Sequence, residues 1–75
     1  METIYYFKTI SGAARFSSGK VCRTDEQLGQ HLRVLRRLGK TTERLYLDHP
    51  EQFKTIQRLF PDLRGKSWRD IYDEN

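Results

Sequence analysis

The sequence predicts an α+β domain. A small N-terminal antiparallel sheet of two or three strands, plus one short later strand, is packed by two amphipathic helices and a short C-terminal helix. Two observations lead there. Residues 3–10 are dense in β-branched and aromatic side chains, the composition of a strand. Residues 24–39 carry leucines at helical spacing between a capping residue and a glycine. Strands come first and helices follow, with one short strand between the two longer helices. That order suits helices laid on a mostly antiparallel sheet.

In the first strand Ile4, Tyr6, Lys8 and Ile10 share one face, and Tyr5, Phe7 and Thr9 share the other. Both faces are partly apolar, which suits either a central strand or a strand with one face given to a partner. Ser11-Gly12 is a turn. Ala13 to Phe16 returns as a second strand, Ser17-Ser18-Gly19 breaks it, and Lys20 to Arg23 continues it or forms a third.

The helix from Asp25 to Leu38 is the best-defined element. Thr24 begins a capping box with Gln27 reaching back. Asp25 and Glu26 lie at the positive end of the helix dipole, and Arg36, Arg37 and Lys40 at the negative end. Gly39 is the natural residue after the cap. Leu45-Tyr46-Leu47 reads as the short later strand. Asp48 is the expected cap of the next helix, with Pro50 in its first turn and Pro61 as its stop. Phe53, Ile56 and Phe60 share one face of that helix. Trp68, Ile71 and Tyr72 form a final short turn of helix, and the acidic end that follows is expected to fray.

With 75 residues the chain makes one domain, 1–75, and a domain this short buries only about 60% of its unfolded surface. Four Phe, four Tyr and one Trp argue for a folded core over disorder. The net charge of +4 and a pI near 9.5 favour anionic partners. One cysteine, Cys22, cannot staple a small secreted domain, and the N-terminus lacks the features of a signal peptide. No run approaches the roughly 20 apolar residues of a membrane span. The expectation is a small basic cytoplasmic protein.

Arg33, Arg36, Arg37 and Lys40 cover about a 100° arc of the first helix, opposite Leu28, Leu32, Leu35 and Leu38. Gly29 falls within the cationic arc, where a backbone can approach closely. Arg44 extends the patch, with Arg23 and Arg15 as further candidates. Such a face suits phosphates, because Arg adds a planar fork to its charge. An ordinary solvated helix face with cations at its C-terminal end would look the same.

Other constellations carry less. A helix-turn-helix needs two helices joined by a tight turn, and a strand intervenes here. A ribbon reader would use Lys8, Arg15 and Lys20. The strand aromatics lack the basic-Gly-aromatic run of an RNA-recognition sheet. Ser17-Ser18-Gly19-Lys20 lacks the earlier glycine and following hydroxyl of a phosphate loop. Cys22, His31 and His49 have no metal-ligand spacing, so no metal or cofactor is expected. Cys22 beside Arg23 reads as a packed strand residue rather than a nucleophile.

The sequence therefore predicts a non-enzymatic binding protein that contacts nucleic acid through Arg33, Arg36, Arg37, Lys40 and Arg44. The alternative is a protein-directed adaptor or inhibitor of the accessory type that mobile elements and phages encode. Its anchors would be Tyr5, Phe7, Trp68 and Tyr72, with arginines meeting an acidic partner surface. An open edge on the first strand would admit a homodimer under either reading.

Overall fold

A computed structural model describes residues 2–73. Four strands form one mixed sheet: β1 (Thr3–Lys8), β2 (Ala14–Phe16), β3 (Val21–Cys22) and β4 (Thr41–Arg44), in the order β3-β2-β1-β4. β1 pairs antiparallel with β2 and parallel with β4. The antiparallel strands are joined by short turns, while the β4 pairing is made by a crossover through α1 (Asp25–Arg37). Helix α2 (Pro50–Leu59), a 3-10 turn (Pro61–Leu63) and α3 (Trp68–Tyr72) complete the fold.

β1 is central, and both of its faces are covered. Ile4 and Tyr6 face one cluster with Ala14, Phe16, Cys22, Leu28, Leu32 and Leu35. Phe7 and Tyr5 face the other, with Leu45, Leu47, Ile56, Phe60, Leu63 and Ile71. The two-residue period of the strand thus feeds two separate cores. Helix α1 covers one side, and α2, the 3-10 turn and α3 cover the other. The helices are not gathered on one face, and β1 has no open edge; the sheet edges are β3 and β4. The two neighbours of β1 leave it no edge through which to pair with a strand of a second copy.

Local chemistry explains α1. The Thr24 hydroxyl accepts from the Gln27 N–H at 3.1 Å, and the Gln27 side-chain carbonyl accepts from the Arg23 N–H at 2.9 Å. At the far end Gly39 (φ 77°) lets its N–H reach the Arg36 carbonyl and the Lys40 N–H reach the Leu35 carbonyl, each at 3.0 Å. This is a Schellman closure. Helix α2 is capped by His49 rather than Asp48, and the His49 side chain makes no capping bond. Pro50 occupies the first helical position, where its missing N–H costs nothing.

The later strand is Thr41–Arg44, immediately before the Leu45-Tyr46-Leu47 run that its composition suggests. Thr41–Arg44 pairs with Thr3–Tyr6, whereas Leu45 and Leu47 follow it and fill the α2-side core. The Leu45 N–H still donates to the Tyr6 carbonyl at 2.8 Å, so the ladder fades rather than stops. Pairing with β1, not hydrophobicity, decides which four residues are the strand.

Phe7 is wholly buried, its ring edge-on to Phe60 at 5.0 Å, so it is a core residue and not an interface anchor. Tyr5 is half-buried against the same cluster. Phe7→Ala should cost about 3–5 kcal/mol, a large share of the roughly 4–11 kcal/mol available to a domain of this length. Thermal unfolding should shift down by at least about 12 °C. A shift of a few degrees would contradict the two-sided burial of β1.

Candidate anionic-partner surface on α1 and β4

Helix α1 divides into three sectors. Leu28, Leu32 and Leu35 face the sheet. Arg33, Arg36 and Lys40 stand on the side of β4, and Arg37 is exposed on the face opposite the leucines. On the opposite flank Val34 and Leu38 are exposed apolar residues. Leu38 is 65% exposed and does not belong to the leucine seam. It stands ten positions after Leu28, about 80° off the seam, and the helix ends one residue before it.

Arg33, Arg36 and Lys40 line a shallow groove with Leu32, Thr41 and Thr42. Sequence reasoning missed Thr41 and Thr42, because the parallel pairing that brings β4 beside the helix is not a local feature. Arg33, Arg36 and Arg37 have no ion pair among the described residues, while Lys40 meets Glu2 at 3.5 Å. Gly29 adds open space: a Cβ placed there would meet nothing within 4 Å.

Arg44 lies toward the other end of the same strand. Its charge reaches Asp25 at the start of α1. The Lys8 ammonium bonds the Asp25 carboxylate at 2.8 Å, and this bond, the Lys8 charge and the Arg44 charge together hold its pKa below the ordinary carboxylate value. The Asp25 charge is therefore already met by a cation, while Glu26 beside it stays exposed. Arg44 also lies over the Tyr46 ring at 4.5 Å, and the His49 ring stacks on Tyr46 at 5.1 Å, 28° from parallel. Tyr46 and His49 were not foreseen as surface features. The signal was the alternation Leu45-Tyr46-Leu47: two leucines in the core put the tyrosine between them outside.

Arg15 and Arg23 do not join the stripe. Arg15 pairs with Asp62 at 3.1 Å and lies over Phe7 and Phe60, on the α2 side of the sheet. Arg23 lines a separate depression with Lys20, Val21 and Gln30 beside the Val34 flank. Lys8 and Arg15 bond carboxylates on opposite faces of the sheet, so the ribbon of Lys8, Arg15 and Lys20 does not converge. Asp70 belongs to α3, across the sheet from the stripe, and Asp73 is the C-cap of that helix. The rest of the acidic end lies outside the described residues.

Trp68 and Tyr72 are exposed, as is Ile10, whose backbone N–H donates to the Tyr72 carbonyl at 2.8 Å. Cys22 is buried in the α1-side core. Among the described residues no three His, Cys, Asp or Glu side chains are grouped to hold a metal ion, and no helix is long and apolar enough to cross a membrane. The chain matches no protein family, no curated protein and no solved structure.

His31 sits edge-on to Phe16 at 4.7 Å, and its Nε2 is buried without a hydrogen-bond partner among the described residues. Burial lowers its pKa below the ordinary imidazole value, and the Lys20 charge acts in the same direction. The unfolded chain therefore binds this proton more readily than the folded one. Stability should fall as pH drops through about 6.5 toward the lower folded value. The melting temperature should decrease between pH 7.5 and 5.5, and His31→Gln should flatten that dependence. An unchanged slope in the variant would remove His31 as its source.

Proposed function

We propose that this protein is a non-enzymatic binding protein whose α1 stripe contacts a phosphate-bearing partner, a nucleic acid. The observation that carries the reading is the groove between α1 and β4, where Arg33, Arg36 and Lys40 stand together beside the half-buried Thr42. The Thr41 hydroxyl is engaged with Thr3 at 2.8 Å. Two guanidinium forks and an ammonium on one wall can each meet phosphate oxygens. The open surface at Gly29 lets a backbone come close. Arg37 and Arg44 widen the field at either side. Helix-dipole complementarity alone would account for cations in the last turn, but it acts only within that turn and gives no reason for Arg33.

A second reading is favoured by one observation. Trp68 and Tyr72 on α3, and Ile10 joined to Tyr72 by a backbone hydrogen bond, are exposed large side chains of the kind that anchor a protein partner. Under that reading the protein is an adaptor or inhibitor, and its binding survives salt.

Charge reversal separates the two. Arg33→Glu combined with Arg36→Glu should weaken binding to a labelled oligonucleotide by about tenfold or more. The slope of log K against log salt should flatten by about 1.4–1.8 as two phosphate contacts are lost. Unchanged affinity and slope would defeat the nucleic-acid reading. Salt-resistant capture of a protein, abolished by Trp68→Ala, would establish the alternative in its place.

A further inference from the structure

The groove does not end at the arginines. Along β4 and the two residues after it, Thr42, Arg44 and Tyr46 follow one another at a two-residue spacing on the side away from Leu45 and Leu47, which fill the α2-side core. Thr42 lies across from Ile4, and Arg44 from Tyr6, both members of the α1-side face of β1. The row therefore runs beside α1, from its Arg36 and Lys40 end toward its Asp25 end, over roughly 13 Å of extended chain. β4 is a sheet edge, so this row has no further strand beyond it.

At the end of the row three planar groups cluster: the Arg44 guanidinium lies over the Tyr46 ring at 4.5 Å, and the His49 ring stacks against Tyr46 at 5.1 Å. Tyr46 is 42% exposed, and His49 is more than half exposed. Rings and guanidinium planes of this kind stack bases whose faces are free, and a duplex hides those faces. A cationic wall at one end and a π-stack at the other is the pairing that single strands use, phosphates on charge and bases on rings. One row of cations beside one edge strand also follows a single backbone rather than two.

We propose that the trough between α1 and β4 binds single-stranded nucleic acid, with phosphates along Arg33, Arg36 and Lys40 and a base stacked on the Arg44–Tyr46–His49 group. This inference rests on the nucleic-acid reading of the stripe and names the form of nucleic acid.

The experiment is fluorescence anisotropy of the full chain with labelled dT12, rU12 and a dA12·dT12 duplex at one low salt concentration. Single strands should bind more tightly than the duplex. Tyr46→Ala should weaken single-strand binding about 5- to 100-fold, the weight of one stacked base, while Tyr46→Phe retains it. The salt slope should stay unchanged in both, because no charge is removed. His49→Ala repeats the readout on an exposed member of the stack that has no part in the core. A preference for dT12 or for rU12 assigns the strand as DNA or RNA and supports the inference either way. Equal or tighter binding of the duplex, or wild-type affinity in both Tyr46→Ala and His49→Ala, overturns it. If Arg33→Glu with Arg36→Glu still weakens binding in that case, the stripe reading stands without the stacking. Failure of all three oligonucleotides to bind overturns both.

Discussion

Burial of β1 on both faces is the constraint from which the other features follow. A chain of 75 residues has little apolar surface to spend on two cores, and it manages by alternating large side chains along one strand. Ile4 and Tyr6 meet α1, while Tyr5 and Phe7 meet the α2 layer. A one-residue slip in register would exchange the two sets and strand each against the wrong helix. The central position of β1 also forces its neighbours: β2 returns by a tight turn, and the remaining edge must be filled from further along the chain. The crossover through α1 does this and lays β4 parallel to β1.

That crossover is what gives the basic helix a setting. Helix α1 is held to the sheet by Leu28, Leu32 and Leu35, and its Schellman closure turns the chain directly into β4. The cations on its outer arc consequently stand beside an exposed edge strand. The geometry converts a charged helix face into one wall of a trough lined on its other side by β4, with Arg44, Tyr46 and His49 clustered at its far end. Of the nearby acidic groups, Asp25 and Glu2 are held by Lys8 and Lys40, and Asp70 is carried on α3 across the sheet. Glu26 on α1 and Glu43 on β4 remain exposed beside the stripe.

What was legible in the sequence was local. Thr24, Gln27 and Gly39 mark the ends of α1 because capping is decided within a few residues, and the leucine spacing fixes its buried face. The stripe was visible for the same reason. The parallel pairing of β4 was not, because it depends on register between residues 38 positions apart. Leu45 to Leu47 therefore looked like the strand, although its leucines belong to the core beyond it. Phe7 looked available as an anchor because an aromatic on a strand gives no sign of whether its face is covered. Asp48 looked like the cap of α2, but Pro50 at the first helical position makes His49 the capping residue whatever its side chain offers.

The central claim is that the surface shared by α1 and β4 is where a partner binds. A titration of uniformly labelled protein with dT12, followed by amide chemical shifts, tests it residue by residue. The account predicts shifts concentrated at Gly29, Arg33, Arg36, Gly39 to Arg44 and Tyr46, with the α2 and α3 layer unmoved. Shifts confined to Ile10, Trp68 and Tyr72, or no shifts at all, would contradict it.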